Sequence, residues 1–128
     1  MSALPDHRQR PLRILIVEDE AIIALGLEQI VEDLGHEVCA LVTTADAAVD
    51  AADRHHPDLV LMDVMLRGGS DGLEAARRIW ERHGIRSLIT SALDVPTLRE
   101  RAAPAKPLGF VSKPYRAEDL RATLGAAR

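Results

Sequence analysis

The chain has 128 residues, a formal net charge of −4, one cysteine and 47% apolar residues. That length suits one domain with one hydrophobic core. A single cysteine excludes an intrachain disulfide, and an acidic balance argues against direct nucleic-acid binding, which calls for a basic surplus.

The first segment, 1–11, reads as a flexible polar arm without the apolar stretch of a secretory signal. The folded domain is expected over 12–126. Leu12 to Val17 is a branched, apolar run too short for a helix and suited to a buried strand. Ile23, Leu27, Ile30, Val31 and Leu34 recur at three and four, which gives one helical face, and Gly35 closes that helix. Val38 to Val42 is a second strand, with Cys39 expected as a small buried residue. Ala45 to Arg54 is an alanine-rich helix stopped by His55, His56 and Pro57. The two histidines are expected to meet its last carbonyls rather than a metal.

Leu59 to Met62 is the third strand. Gly68 to Gly72 is a loop by composition. The next helix carries Leu73, Ala76 and Trp80 on one face, with Trp80 expected against the sheet. Arg77, Arg78 and Arg82 are expected on its solvated side. Ser87 to Ser91 and Gly109 to Ser112 are the fourth and fifth strands. Between them, Pro96, Pro104 and Pro107 leave room for about two helical turns. Arg116 to Ala126 is the last helix, with Leu120 and Leu124 at core spacing. Strand and helix alternate, which predicts an α/β fold with a parallel sheet covered on both faces. Ligands of such sheets bind beyond the carboxyl ends of the strands.

The chemistry-bearing residues stand at those ends. Glu18, Asp19 and Glu20 follow the first strand, Asp63 the third and Lys113 the fifth, and Ser91 ends the fourth. Crowded carboxylates resist ionising together, and a divalent cation relieves the conflict. Mg²⁺ takes oxygen ligands and uses one or two carboxylates plus substrate phosphate. Asp19 and Asp63 fit as direct ligands, and Glu18 reaches the metal through water. Phosphoryl transfer is mostly positioning and charge neutralisation. Lys113 supplies a compact positive charge and Ser91 a hydroxyl donor, which leaves Asp63 as the nucleophile. The basic residues are fourteen arginines and two lysines, Lys106 and Lys113, so a lysine stands out here. Taken singly, each signal has a plainer reading. The acidic triplet also suits a helix N-terminus, Asp63 a loop cap and Lys113 an ordinary surface.

The segments Ile14–Glu20, Leu59–Asp63, Ser91-Ala92 and Lys113-Pro114-Tyr115 resemble, in order and interval, the four signature segments of the receiver domains of two-component response regulators. The resemblance runs from about Leu12 to Leu124. It implies a doubly wound, flavodoxin-like sheet of order 2-1-3-4-5. It implies Asp63 as phosphoacceptor, Glu18 and Asp19 as the acidic pair, and the main-chain carbonyl of Met65 as a further Mg²⁺ ligand. Ser91, which precedes Ala92 and stands 22 residues before Lys113, is the implied hydroxyl residue ahead of Thr90. Phe110 matches the aromatic switch position, and the Lys113–Pro114 bond is expected to be cis. The sequence departs from the family at Leu66-Arg67, where a Met-Pro pair is common, in a longer loop before Asp71-Gly72, and in the short fourth helix.

The expected function is phosphoacceptor signalling, with the protein assisting its own phosphorylation rather than working as an enzyme on an outside substrate. The expected partners are a sensor histidine kinase or histidine phosphotransfer protein and a downstream protein, with no nucleic acid, no membrane insertion and a cytoplasmic location. The last helix ends near Arg128, so a stand-alone receiver is expected. The alternatives are a phosphate shuttle or sink and a receiver cut from a hybrid kinase or transcription factor. A hydrolase built on the same acidic site would need residues for an external phosphomonoester, and none is legible.

Overall fold

Each short apolar run becomes a parallel strand in the computed structural model, which describes residues 10–66, 70–91, 96–113 and 115–126. The strands are β1 (Arg13–Val17), β2 (Glu37–Val42), β3 (Leu59–Asp63), β4 (Ser87–Ser91) and β5 (Gly109–Ser112). The helices are α1 (Ala21–Asp33), α2 (Ala45–His55), α3 (Gly72–His83), α4 (Pro96–Ala102) and α5 (Ala117–Ala126), and a 3₁₀ turn at Ala103–Ala105 follows α4. The sheet order is β2-β1-β3-β4-β5 and all four pairings are parallel. β1 and β3 lie side by side, so the chain reverses its direction of growth between them, and the site forms at that crevice.

Strand alternation sorts the core into two layers. Leu15, Val17, Val60, Met62 and Ile89 face the layer of α2, α3 and α4. Ile14, Ile16, Leu59, Leu61, Leu88 and Val111 face α1 and α5, where Leu27, Val31, Leu120 and Leu124 meet them. Burying each such side chain contributes about 1.5–3 kcal/mol. Both faces of β3 are covered, which explains its unbroken apolar sequence. The prolines limit α4 to seven residues, as their spacing predicts.

Three expectations need correction. Ile79, not Trp80, is the fully buried residue of late α3; Trp80 is half-buried, with Arg86 over its ring. Ile79 continues the inward row of Leu73 and Ala76 at a spacing of three, and Trp80 stands one position round the helix from it. The carbonyls of His55 and His56 are met by the Arg13 guanidinium from β1, at 2.6 and 3.4 Å, not by the histidine rings. His56 itself is the left-handed cap of α2, with its ring edge-on to that of His83. Cys39 is half-buried, because β2 is an edge strand. The α3 arginines stand on its solvated side as expected, and there Arg77 pairs with Glu74 and Glu81, Arg78 reaches Asp46, and Arg82 holds Asp53 at 3.0 Å.

Gly72, read as loop, is the first residue of α3, and Asp71 caps the helix by accepting from the Leu73 and Glu74 amides. A Cβ on Gly72 would stand 1.9 Å from the Asp63 carbonyl oxygen, so only glycine lets α3 start this close to the end of β3.

Candidate functional site

The carboxyl ends of β1, β3 and β5 bring three charged side chains together. Lys113 Nζ lies 3.0 Å from Asp63 Oδ2 and 3.1 Å from Glu18 Oε1. Both carboxylates are almost fully buried, with side-chain exposures of 5% and 0%. The main chain fixes each of them. The Glu18 amide donates to the Val42 carbonyl of β2, the Val64 amide to Thr90 of β4, and the Lys113 amide to Ser91 of β4. Asp63 Oδ1 accepts from the Met65 amide at 3.3 Å, and Glu18 Oε2 from the Glu20 amide at 3.2 Å.

Burial pushes the Glu18 carboxyl above its ordinary range, against the opposing pull of the Glu20 amide and of Lys113. Burial alone would lower the Lys113 ammonium, but its bonds to Asp63 and Glu18 outweigh this and hold it well above the usual lysine range. The lysine is therefore a fixed positive charge, and Glu18 is a buried carboxyl whose anionic form its partners favour against the effect of burial.

Carboxylate oxygens of Glu18, Asp19 and Glu20 lie within 4.8 Å of one another. The reading of this triplet as a plain helix N-terminus does not fit the geometry. Glu20 caps α1 without a side-chain cap bond, the first turn of α1 holds no acidic residue, and Glu18 turns inward to the lysine. The donors are all oxygens, and Glu18 Oε1 is buried against the Lys113 ammonium at 3.1 Å. This is the donor chemistry of a hard cation such as Mg²⁺. Asp63 is joined to the triplet through Lys113, while Glu20, left outside the ligand set by sequence, stands within the triplet. The side chain of Met65 is exposed, and Met65 bridges back to Asp71.

Thr90 and Ser91 separate by strand parity. Thr90 is the register partner of Asp63 and is buried, its hydroxyl donating to the Met62 carbonyl at 3.3 Å. Ser91 is half-buried and shares with Phe110, Leu98 and Arg99 the lining of a cavity of about 50 Å³. The Arg99 guanidinium sits 4.6 Å over the Phe110 ring, a cation–π contact between α4 and β5 that sequence reasoning missed. It missed Tyr115 as well, whose buried hydroxyl lies near Lys113. On the α1 side, Ile23, Gly26, Leu27, Ile30, Lys113 and Tyr115 line an apolar groove of about 370 Å³. The expected cis bond at Pro114, and the departures at Arg67 to Gly69, lie outside the described residues.

The chain matches the family model of the response regulator receiver domain over residues 14–125. It is 34% identical to the transcriptional regulatory protein PdtaR of Mycobacterium tuberculosis over 110 residues, covering 86% of this chain and 53% of PdtaR. It is 32% identical to the chemotaxis protein CheY of Bacillus subtilis, covering 83% of this chain and 88% of CheY. Against PdtaR, and against PhyR of Methylorubrum extorquens, of which 42% is covered, the chain spans about half the relative's length. Among solved structures, the signal receiver domain of a modulated diguanylate cyclase from Desulfovibrio desulfuricans superposes with a TM-score of 0.85 at 30% identity, covering 92% of this chain and 94% of that one. PhyR from Brucella abortus gives 0.79 at 31% identity, covering 94% of this chain and 49% of that one. Among the described residues, no helix is long and apolar enough to cross a membrane.

Proposed function

The chain belongs to the response regulator receiver domain family, and we propose that within it Asp63 accepts the phosphoryl group, Lys113 and Ser91 bind the phosphoryl oxygens, and Mg²⁺ is the cofactor. The observation that carries this reading is the buried Glu18–Lys113–Asp63 arrangement at the carboxyl edge of the sheet. The receiver unit is residues 12–126. A carboxylate oxygen of Asp63 attacks phosphorus and forms the acyl phosphate. The P–N bond to a donor phosphohistidine breaks, and the released imidazole takes a proton from solvent. Asp19, Asp63 and the Met65 carbonyl would hold the metal directly, and Glu18 through water. Bound there, Mg²⁺ neutralises charge on the phosphoryl oxygens. Lys113 meets those oxygens from the opposite side, and burial of the site strengthens its field. Ser91 serves as the hydroxyl donor because Thr90 has spent its proton on Met62.

On this reading the protein is a phosphoacceptor with no external substrate to turn over. Its donor is a histidine kinase or phosphotransfer protein, and its readout partner is a downstream protein in the cytoplasm. The half-length match to PdtaR and PhyR supports a second reading, in which this receiver regulates a segment outside the matched half. The test is incubation with acetyl phosphate, with and without Mg²⁺, followed by intact mass measurement. One Mg²⁺-dependent phosphoryl adduct is expected, and a chain that gains none under either condition would refute the proposal.

Two further outcomes follow from the same geometry. Asp19→Ala should weaken Mg²⁺ binding far more than Glu20→Ala, since Asp19 is the direct ligand. Equal affinities by calorimetry would mean the ligand set is misassigned within the triplet. Beryllofluoride, a phosphoryl mimic, should draw Ser91 towards the site and let Phe110 leave Arg99 for the cavity beside it. Amide shift changes should then extend through residues 93–112. A response confined to the loops of Asp19 and Asp63 would count against the switch.

A further inference from the structure

Phe110 is the single phenylalanine of the chain and stands on β5, an edge strand of the sheet. Ile89 pairs with Phe110 and Ser91 with Ser112. Side chains two residues apart on a strand share a face, so Ser91 and Phe110 lie on one face of the sheet. It is the face that carries α4, where Leu98 is buried and Arg99 exposed. Ile89, Ser91, Leu98, Arg99 and Phe110 line the cavity of about 50 Å³ there. The Phe110 ring does not fill it. The residue is half-buried, and it also lines the open groove along β5 and α5 beside Arg116 and Thr123. An apolar ring left partly in water next to unfilled space forgoes both burial and packing. The contact that holds it there is the Arg99 guanidinium, 4.6 Å from the ring centroid.

We infer that Arg99 is a latch: its cation–π contact keeps the Phe110 ring out of the cavity beside Ser91 and so lowers the fraction of molecules ready to take the phosphoryl group. The inference rests on Asp63 being the phosphoacceptor and Ser91 its hydroxyl donor. When Ser91 is drawn towards the phosphoryl oxygens it withdraws from the cavity, and room opens for the ring. The ring enters only by giving up the guanidinium. Ring on Arg99 and ring in the cavity are therefore two exclusive arrangements, and whatever favours the first weakens phosphoryl binding by the same factor. The affinity measured at the site is the intrinsic affinity reduced by the fraction of competent molecules. A cation–π contact at an exposed position favours its own state by a factor of about two to five. Arg99 thus sets how readily the site responds without touching the phosphoryl group.

The test compares wild type with Arg99→Gln, using Mg²⁺ and beryllofluoride as the probe. Arg99 is exposed, so the substitution leaves the core intact. The variant should bind beryllofluoride about two- to fivefold more tightly. Removing a positive charge acts through the long-range field in the other direction, weakening the binding of an anion, so a gain identifies the latch. An affinity equal to or weaker than that of the wild type would overturn the inference. Phe110→Leu removes the ring, and adding Arg99→Gln to it should change the affinity no further. The same gain in that background would show that the arginine acts otherwise than through the ring, which would also overturn the inference. Fluorinated phenylalanine places one label in the chain, at Phe110. Its resonance in the wild type should move on beryllofluoride binding, and a fixed resonance would mean that the ring stays where it is and the latch does not exist. A wild type that binds no beryllofluoride would instead bring down the phosphoacceptor reading, and this inference with it.

Discussion

Asp63→Asn should take up no phosphoryl group from acetyl phosphate and Mg²⁺, yet should fold at least as stably as the wild type. The carboxamide has the same shape but lacks the anionic oxygen that attacks phosphorus, so the loss should be complete rather than partial. Stability should survive for an electrostatic reason. In the wild type one ammonium, Lys113, serves two buried carboxylates, Asp63 and Glu18. Neutralising Asp63 leaves a balanced Glu18–Lys113 pair and removes a like-charge repulsion. Melting temperature and intact mass can be read on the same sample. A variant labelled as fully as the wild type would move the phosphoacceptor elsewhere. A variant that is unlabelled but also unfolded would show that the Asp63 charge is structural.

The order of the strands was legible only through the resemblance to receiver domains, whereas the parallel sheet itself was legible in the alternation of short apolar runs with helical spacing. The edge that gathers the site was legible for the same reason, since residues directly after parallel strands share one end of the sheet. What stayed hidden depends on side-chain size and on contacts across the fold. Trp80 and Ile79 are adjacent, and spacings of three and of four from Ala76 do not say which of them turns inward. Thr90 and Ser91 are adjacent too, and strand parity separates them only once the register of β3 with β4 is known. Arg99 over Phe110 joins α4 to β5 across the turn between them, and no local pattern encodes it. Gly72 looked like one more loop glycine, whereas its bare Cα is what lets α3 begin against the main chain of Asp63. Tyr115 belongs to a signature segment, but nothing in that segment says that its hydroxyl is buried.

Lys113→Met should bring the second large effect, and it should run in opposite directions for metal affinity and for chemistry. The lysine side chain is 16% exposed, and methionine keeps its length while removing the charge. In the absence of divalent cations the variant then holds Glu18 and Asp63 without their counter-ion, and stripping one partner from a buried ion pair costs about 3–5 kcal/mol. The pH dependence identifies the cause. Glu18 already stands above its ordinary value of 4.5 through burial, and losing Lys113 raises it further. A carboxyl raised in the folded state binds more protons there than in the unfolded state, so stability falls as pH rises above 4.5 through the folded value. The deficit should therefore be small near about pH 4 and fully developed near about pH 7. Mg²⁺ should bind the variant more tightly than the wild type, because the ammonium no longer competes for the two carboxylates. Phosphorylation by acetyl phosphate at saturating Mg²⁺ should nevertheless slow by about 10²-fold or more, the cost of losing a charge aimed at the phosphoryl oxygens. Denaturant unfolding at the two pH values, Mg²⁺ titration and labelling rate test the three effects separately. A variant as stable as the wild type at neutral pH without Mg²⁺ would mean that Lys113 does not hold the carboxylates together. Weaker Mg²⁺ binding would mean that it helps the metal rather than competing with it.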